Sequence, residues 1–412
     1  MVEWESGRTR RFLGNTVRKL VLVSKEMKWR LAVAGCLISV VLPANAEMPK
    51  RVWSLNLSSL AAYKEAALTA EDFSWGFDFD FVDDNTIAVE AVFQSRPHFT
   101  DRGPAEQVVS NTAIFTIDAN KGTPQSSQVW KGWRGLPAVP YGRSFHPTAT
   151  AECLINIGDR LIKLSPTGKV VATRELPLST IQFNGNPFQD HWWILTDPRT
   201  EKALLVRSPF SPTGRAPQEG HWISLETLKD ESSITLPPWS AGSGAILVGE
   251  SVVFSGWGPA KEPVTIQENN EPPHPLCGQC LGLVRGSFGK ELIFLDARRS
   301  YQVVDTEGKV HYRGGRLGGR ADTIDQVSGA ITKNRVAFQF GHLGQTLEET
   351  VVVLDVDAKK EILRFKQNQA AEKVTVGKLV EEKFVSPGLA LSPDGSKLAI
   401  LTGTSISLFD VP

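Results

Sequence analysis

The chain has four cysteines, and two of them, Cys277 and Cys280, are separated only by Gly278 and Gln279. A Cys-x-x-Cys spacing can close a local disulfide, poise a redox pair or place two thiolates on one metal ion. His274, three positions upstream, could join them as a third ligand, and a structural zinc site would then need a fourth. Covalent haem attachment needs histidine directly after the second cysteine, where Leu281 stands. A thioredoxin-like role needs a βαβ setting that the flanking sequence lacks. Three readings stay open: a metal site on His274, Cys277 and Cys280, a redox pair, and a structural disulfide pinning an irregular loop in an oxidising compartment. The disulfide is the simplest of the three. Cys153 opens an apolar run and reads as a small buried hydrophobe.

Three other residues could act as an acid–base set. His146 precedes Pro147, and Asp190-His191 precedes Trp192-Trp193. An adjacent Asp and His could move a proton. No nucleophile motif accompanies them, since neither Gly-x-Ser-x-Gly nor His-Glu-x-x-His occurs. A turn aspartate and packed histidines explain them more simply, and His342, between Gly341 and Leu343, reads as a turn residue. Asp78, Asp80, Asp83 and Asp84 offer oxygen ligands for calcium but lack the EF-hand spacing, and read as a strand face and hairpin turn. Arg313-Gly314-Gly315-Arg316 and Gly318-Gly319-Arg320 have the composition of RNA-binding Arg-Gly-Gly segments. A glycine-rich crossing between structural units is the simpler reading. No cofactor is predicted.

Charge supports that choice. Lys plus Arg and Asp plus Glu both total 45 in 412 residues, a zero formal net charge. A nucleic-acid or anionic-membrane partner calls for a positive field.

The first residues carry an export pattern. Residues 1–26 are basic and polar, Met27-Lys28-Trp29-Arg30 follows, and an apolar run extends from Leu31 to Leu42. Pro43 breaks the run before Ala44-Asn45-Ala46, a small-x-small cleavage site. The run is short for a bilayer span. Cleavage after Ala46 is expected, with Met27 a candidate true start and no membrane span left. Val33-Ala34-Gly35-Cys36 resembles a lipoprotein box, but the apolar run continues past Cys36. Arg10-Arg11-Phe12-Leu13 resembles a twin-arginine signal displaced from the run.

The elements that would position these residues are strands. There are 35 Gly, 25 Pro and 11 Trp, which suit many short strands joined by turns. Gly76–Val82 alternates Phe77, Phe79 and Phe81 with Asp78 and Asp80, so the phenylalanines share one face. A turn at Asp83-Asp84-Asn85 leads to Thr86–Phe93, then Thr112–Ile117 and Gln128–Trp133. Similar groups of four recur about every fifty residues, the period of propeller blades. The second group is read as Thr148–Glu152, Cys153–Ile157, Arg160–Leu164 and Val170–Leu176. The last group has three strands, Gly388–Leu391, Lys397–Leu401 and Ser405–Phe409, while Arg51–Leu57 has no local partner. Leu57–Leu68 suggests a short helix. The sequence therefore predicts an all-β propeller of about seven four-stranded blades over residues 47–412, with an irregular insertion near 259–280. The N-terminal strand completes the last blade and leaves no open edge. The tryptophans would fill wedges between blades.

Leu391-Ser392-Pro393-Asp394-Gly395-Ser396-Lys397-Leu398-Ala399 resembles the turn between inner strands in WD40-like and related bacterial Ser-Pro-Asp-Gly propellers. Val353-Leu354-Asp355-Val356 followed by Lys359-Lys360-Glu361-Ile362 resembles their strand, Asp, turn, strand unit. The resemblance covers about residues 350–412 and implies the propeller fold; such a fold does not fix a function.

Function is therefore an expectation of class. The leading one is an exported, periplasmic or secreted, non-catalytic binding or scaffold propeller presenting one face to a protein, peptide or glycan, with no nucleic-acid partner. The alternative is a periplasmic propeller enzyme, a lyase, hydrolase or oxidoreductase, with a site at the channel mouth and His146, Asp190 and His191 as candidates. A third is a metal- or redox-responsive element at Cys277 and Cys280. An enzyme needs polar side chains converging in the channel with shifted pKa values. A sensor needs exposed, reducible cysteines.

Overall fold

The computed structural model describes residues 49–412 except 68–72, 96–98, 101–102, 105–108, 135–144, 158, 178–179, 184–185, 190, 209–217, 238–243, 256–262, 298–299, 318–321, 343–347, 369, 377–378 and 386–387. Of some further strand residues, His191 and His342 among them, only the backbone is described. The export pattern of residues 1–46 lies outside the described residues.

Seven four-stranded antiparallel sheets follow one another along the chain. Blade 1 is Phe73–Asp83, Thr86–Ser95, Val109–Asp118 and Thr123–Arg134. Blade 2 is Phe145–Pro147, Cys153–Ile157, Arg160–Leu164 and Val170–Glu175. Blade 3 is His191–Thr196, Lys202–Ser208, Gln218–Ser224 and Asp230–Leu236. Blade 4 is Ala245–Val248, Ser251–Phe254, Thr265–Glu268 and His274–Pro275. Blade 5 is Leu283–Phe288, Leu292–Ala297, Ser300–Asp305 and Val310–Arg313. Blade 6 is Asp322–Gly329, Arg335–His342, Glu348–Asp355 and Lys360–Asn368. Blade 7 is Gly388–Leu391, Lys397–Thr402 and Ser405–Asp410, completed on its outer edge by Arg51–Asn56.

The first strand of each blade packs against the first strand of the next, and blade 7 packs against blade 1, so the ring closes. Closure is made as expected: Ser54 pairs with Ser407, Leu55 with Ile406 and Asn56 with Ser405. The N–H of Leu57 adds a 2.8 Å bond to the Thr404 carbonyl. A 3-10 turn, Leu57–Ser59, and a helix, Ala61–Ala66, lead back into blade 1. Ala62 and Ala66 bury that helix against it.

Among the described residues the core forms seven hydrophobic clusters, one at each blade–blade interface. Phe79 and Phe81 enter the cluster shared by blades 7 and 1, as their alternation requires. Each such side chain is worth about 1.5–3 kcal/mol of burial. Trp130 and Trp133 pack between blades 1 and 2, Trp192 between 2 and 3, and Trp193 and Trp222 between 3 and 4.

Two strand expectations shift. The inner strand of blade 2 is Phe145–Pro147, and 148–152 is the turn after it. Thr148 ties that turn with its N–H on the Glu152 carbonyl at 2.9 Å. The stretch near 259–280, expected as an insertion, supplies in its described part the outer half of blade 4. Ser251 to Phe254 pair with Glu268 to Thr265, and Thr265 and Ile266 with Pro275 and His274. Prolines and glutamates around these short strands hide their alternation.

Candidate functional site

Antiparallel order sorts the connections. Turns between strands one and two, and three and four, emerge on one face of the ring. Connections between strands two and three, and the crossings to the next blade, emerge on the other.

On the first face the turns are short and bonded to one another. In blade 3, Asp197 is fully buried, holds Arg199 at 2.7 Å and accepts from the N–H of Gly249 of blade 4 at 2.6 Å. Arg199 reaches on to the Gly289 carbonyl of blade 5 at 2.9 Å. The Gly289 N–H bonds Ala330 of blade 6 at 2.7 Å, and Ile331 and Thr332 donate to Pro393 of blade 7 at 2.7 and 3.0 Å. Asp394 donates to Asp84 of blade 1 at 2.8 Å. The Ser-Pro-Asp-Gly turn thus belongs to a girdle running from blade 3 through blade 7 to blade 1. Gly395 adopts φ +70°, which lets its N–H close the turn on the Ser392 carbonyl at 2.8 Å.

The opposite face carries the long connections, such as 57–72, 96–108, 176–190 and 369–387. Three of its connections contain backbone hairpins: Phe99–Thr100 with Gly103–Pro104, Thr180–Phe183 with Asn186–Gln189, and Ala370–Val376 with Leu379–Val385.

At this face the inner strands of blades 5 and 6 are both irregular. Register shifts between Val284 and Gly286, and between Ile324 and Gln326, leave Arg285 and Asp325 as bulged residues. A bulge re-aims a side chain and is common beside functional sites. Arg285 donates from Nη2 to Asp296 Oδ2 at 3.2 Å. Asp296 also accepts from the backbone N–H of Ile324, joining the two blades. Thr323 Oγ1 donates to Asp325 Oδ1 at 3.0 Å. Gly282 makes room for the approach: at φ +121°, a Cβ there would lie 2.1 Å from the Asp296 carbonyl oxygen.

Burial raises the Asp296 carboxyl pKa against the opposing pull of Arg285 and the Ile324 N–H. Burial raises Asp325 too, opposed by Thr323 and Arg285 and reinforced by the Asp296 charge. Arg285 Nε is buried and has no hydrogen-bond partner. The cluster therefore offers a spare cationic donor and two carboxyls that hold protons more readily than usual. Such a set can bind a polar ligand, and a carboxyl of raised pKa is the kind of group general acid catalysis uses. None of these residues was singled out from sequence. The sequence shows only that a charged residue interrupts each strand pattern, Arg285 beside Gly286 and Asp325 beside Gln326, and not that the two meet.

The residues singled out from sequence lie elsewhere. Cys277 and Cys280 sit in the crossing from blade 4 to blade 5, with their sulfurs bonded at 2.03 Å. Cys280 is fully buried in the cluster between those blades, and its carbonyl accepts from Val264 at 2.9 Å. Arg313 holds Gln279 at 2.6 Å. His274 is exposed on the outer strand of blade 4. Among the described residues, no three His, Cys, Asp or Glu side chains are grouped to hold a metal ion. Cys153 is a buried free thiol whose pKa is pushed up by burial and by Glu90 and Glu152.

His146 is buried in the inner strand of blade 2, opposite Leu154. His191 opens the inner strand of blade 3, its backbone paired with Ser208, and Asp190 lies outside the described residues. Asp78 Oδ2 accepts from the Phe145 N–H at 3.1 Å, so this aspartate links blades 1 and 2. Gly314 crosses from blade 5 to blade 6 against the Tyr301 ring and donates to the Tyr301 carbonyl at 2.9 Å.

No family model and no curated protein sequence matches the chain. Among solved structures, it is similar to BamB from Moraxella catarrhalis, at 9% identity and TM-score 0.40, over 88% of this chain and 100% of that one. It is similar to the β-propeller domain of the trilobed protease from Pyrococcus furiosus, at 10% identity and TM-score 0.45, over 82% and 96%. It also matches an acylaminoacyl peptidase from Pyrococcus horikoshii at 12% identity and TM-score 0.45, over 82% of this chain and 52% of that one. Identities of this size speak to the fold alone, which the chain's own sheets define as a seven-bladed β-propeller.

Proposed function

We propose that this chain is an exported, non-catalytic propeller that acts in the periplasm or outside the cell as a binding or scaffold module. It presents the face carrying the long connections to a protein, peptide or glycan. One observation carries this reading: short turns bonded blade to blade make one face a rigid base, while chain length and irregular strands concentrate on the other. Binding residues are disproportionately held on loops set upon a rigid scaffold. Balanced charge argues against nucleic acid as the partner. Among the described residues no helix is long and apolar enough to cross a membrane.

Photo-crosslinking in the native compartment tests the face. A crosslinker at Leu281 or Arg316, beside the long connections, is expected to yield adducts, and one at Lys121 or Lys333, on the turn face, is not. Adducts confined to Lys121 and Lys333 would reverse the assignment. Intact mass tests export: a chain spanning Glu47–Pro412 supports cleavage after Ala46, and a retained N-terminus contradicts it.

The enzyme reading stands second, favoured by Asp296 and Asp325, whose raised pKa values and shared Arg285 come together where the first strands of blades 5 and 6 are bulged.

A further inference from the structure

The outer strand of blade 2, Val170–Glu175, is an edge of its sheet. Proteins blunt such edges with charge, proline or short length, because an open ladder invites another chain. Blade 3 does so with Asp230 and Glu231, blade 4 with the two-residue strand His274–Pro275, and blade 6 with Lys360, Arg364 and Lys366. Blade 2 instead begins its edge with two valines. Val170 is 46% exposed and Val171 53%, and they are the only adjacent pair among the exposed large hydrophobics of the described residues. A register shift opposite Lys163 and Leu164 makes Val171 a bulged residue, and a bulge re-aims a side chain.

The backbone along this edge is open. The Leu176 N–H bonds the Asp159 carbonyl at 2.6 Å, so the alternation of an antiparallel pair turns the N–H and C=O of Thr173 and Glu175 away from the sheet. Val171, Thr173 and Glu175 are all exposed. The two ends of the run carry opposite charge, Lys169 just before the strand and Glu175 at its end. Neither side chain makes an ion pair with a described residue. Arg160, opposite Glu175 in the sheet, turns to Asp159 at 3.8 Å instead. Arg174 is already held by Asp230 at 2.7 Å.

We infer that this edge pairs with the same edge of a second copy of the chain, antiparallel about a two-fold axis at Ala172. A two-fold contact needs a surface that is its own complement. Pairing about Ala172 sets Lys169 of each copy opposite Glu175 of the other, and Val171 opposite Thr173. Unlike charges directly across an antiparallel pair are favourable. Centring on Val171 or Thr173 instead opposes Lys169 to Thr173 or to Pro177, and the charges go unmatched. A foreign strand would satisfy the backbone alone, whereas the chain's own strand satisfies both charges as well. The contact is small, so the dimer is weak, with a dissociation constant of about 10–100 µM.

The test is analytical ultracentrifugation of the exported protein from about 1 to 500 µM. A monomer–dimer equilibrium is expected in that range. Val171→Lys should abolish it, and Val52→Lys, at an exposed valine of the closing strand, should leave it unchanged. Both positions are exposed, and melting temperature checks that each variant folds. Lys169→Glu and Glu175→Lys should each weaken the dimer about tenfold. An equal mixture of those two variants should restore it, because unlike charges again meet at both ends. Monomer throughout, or a dimer indifferent to Val171→Lys, overturns the proposal. A mixture that stays monomeric overturns the two-fold register. In the native compartment, a photo-crosslinker at Thr173 should give an adduct of twice the chain's mass; an adduct with a different protein alone assigns the edge to that partner and overturns self-pairing. None of these outcomes bears on crosslinking from Leu281 and Arg316.

Discussion

The backbone N–H of Asp394 donates a 2.8 Å hydrogen bond to the carboxylate of Asp84, a residue 310 positions away. The contact joins the last blade to the first, and Lys397 reinforces it through the Asp84 carbonyl and Asn120, both at 2.8 Å. The two carboxyls are pushed apart. Burial works against the charge of Asp394, but bonds from Ser396 and Ser392 and the nearby Lys333 outweigh it and hold the group at about 2. Burial raises Asp84, and the Asp394 charge adds to that against the bond from the Asp394 N–H.

A folded carboxyl held below its unfolded value stabilises the fold above the unfolded value, and that support is lost as pH falls through the folded one. Asp394→Asn should therefore cost about 1–3 kcal/mol at neutral pH, shrinking between about pH 4 and pH 2. Urea unfolding across that range reads it out. A penalty independent of pH contradicts the assignment. Asp84→Asn keeps an acceptor for the Asp394 N–H and removes a charge the site disfavours, so it should be milder than Asp84→Ala.

At the other end of the girdle, Asp197 is fully buried and held by the Arg199 guanidinium through two 2.7 Å bonds. Arg199→Ala leaves a buried carboxylate without its cation and should cost roughly 3–5 kcal/mol. Replacing both, as Asp197→Asn with Arg199→Met, should cost less than the single change. A double-mutant cycle that proves additive would show the two to be uncoupled.

The fold was legible because its signals are local. Alternation in Phe77, Phe79 and Phe81 places them on one face, and Ser392-Pro393-Asp394-Gly395 marks a turn, whatever the rest of the chain does. Ring closure was legible because Arg51–Asn56 has a strand's pattern and no local partner. The outer half of blade 4 was not, since a two-residue strand such as His274–Pro275 is too short to show a period. The cluster of Arg285, Asp296 and Asp325 was hidden for another reason. Arg285 and Asp325 are brought together by two bulges in strands of different blades, and a bulge breaks the alternation from which side-chain direction is read.

Cys277 and Cys280 close a loop of separation three, so the chain-entropy gain is small, roughly 2 kcal/mol. Cys280 is nonetheless buried between blades 4 and 5. Reduction should lower the unfolding midpoint modestly and leave the ring assembled, and Cys277→Ala with Cys280→Ala should do slightly more because a core contact is lost. Denaturant curves with and without reductant measure both. A reductant-driven change in ligand binding larger than the change in stability would instead mark the pair as a redox sensor.

Asp325 separates a functional cluster from a structural one. A carboxyl whose folded pKa lies above its unfolded value destabilises the fold when charged; the penalty is full above the folded value and vanishes as pH falls below the unfolded one. Burial places Asp325 in that position. Asp325→Asn keeps an acceptor for Thr323 and removes the penalty, so it should stabilise the protein by about 0.5–2 kcal/mol at neutral pH, with the gain fading in acid. If the cluster contacts a ligand, the same substitution should weaken crosslinking from Leu281 and Arg316 while the protein becomes harder to unfold. Stability kept against its own interest is what a site selected for function shows. Loss of stability in Asp325→Asn at neutral pH would make Arg285, Asp296 and Asp325 a pin between blades 5 and 6 and remove the enzyme reading's only support.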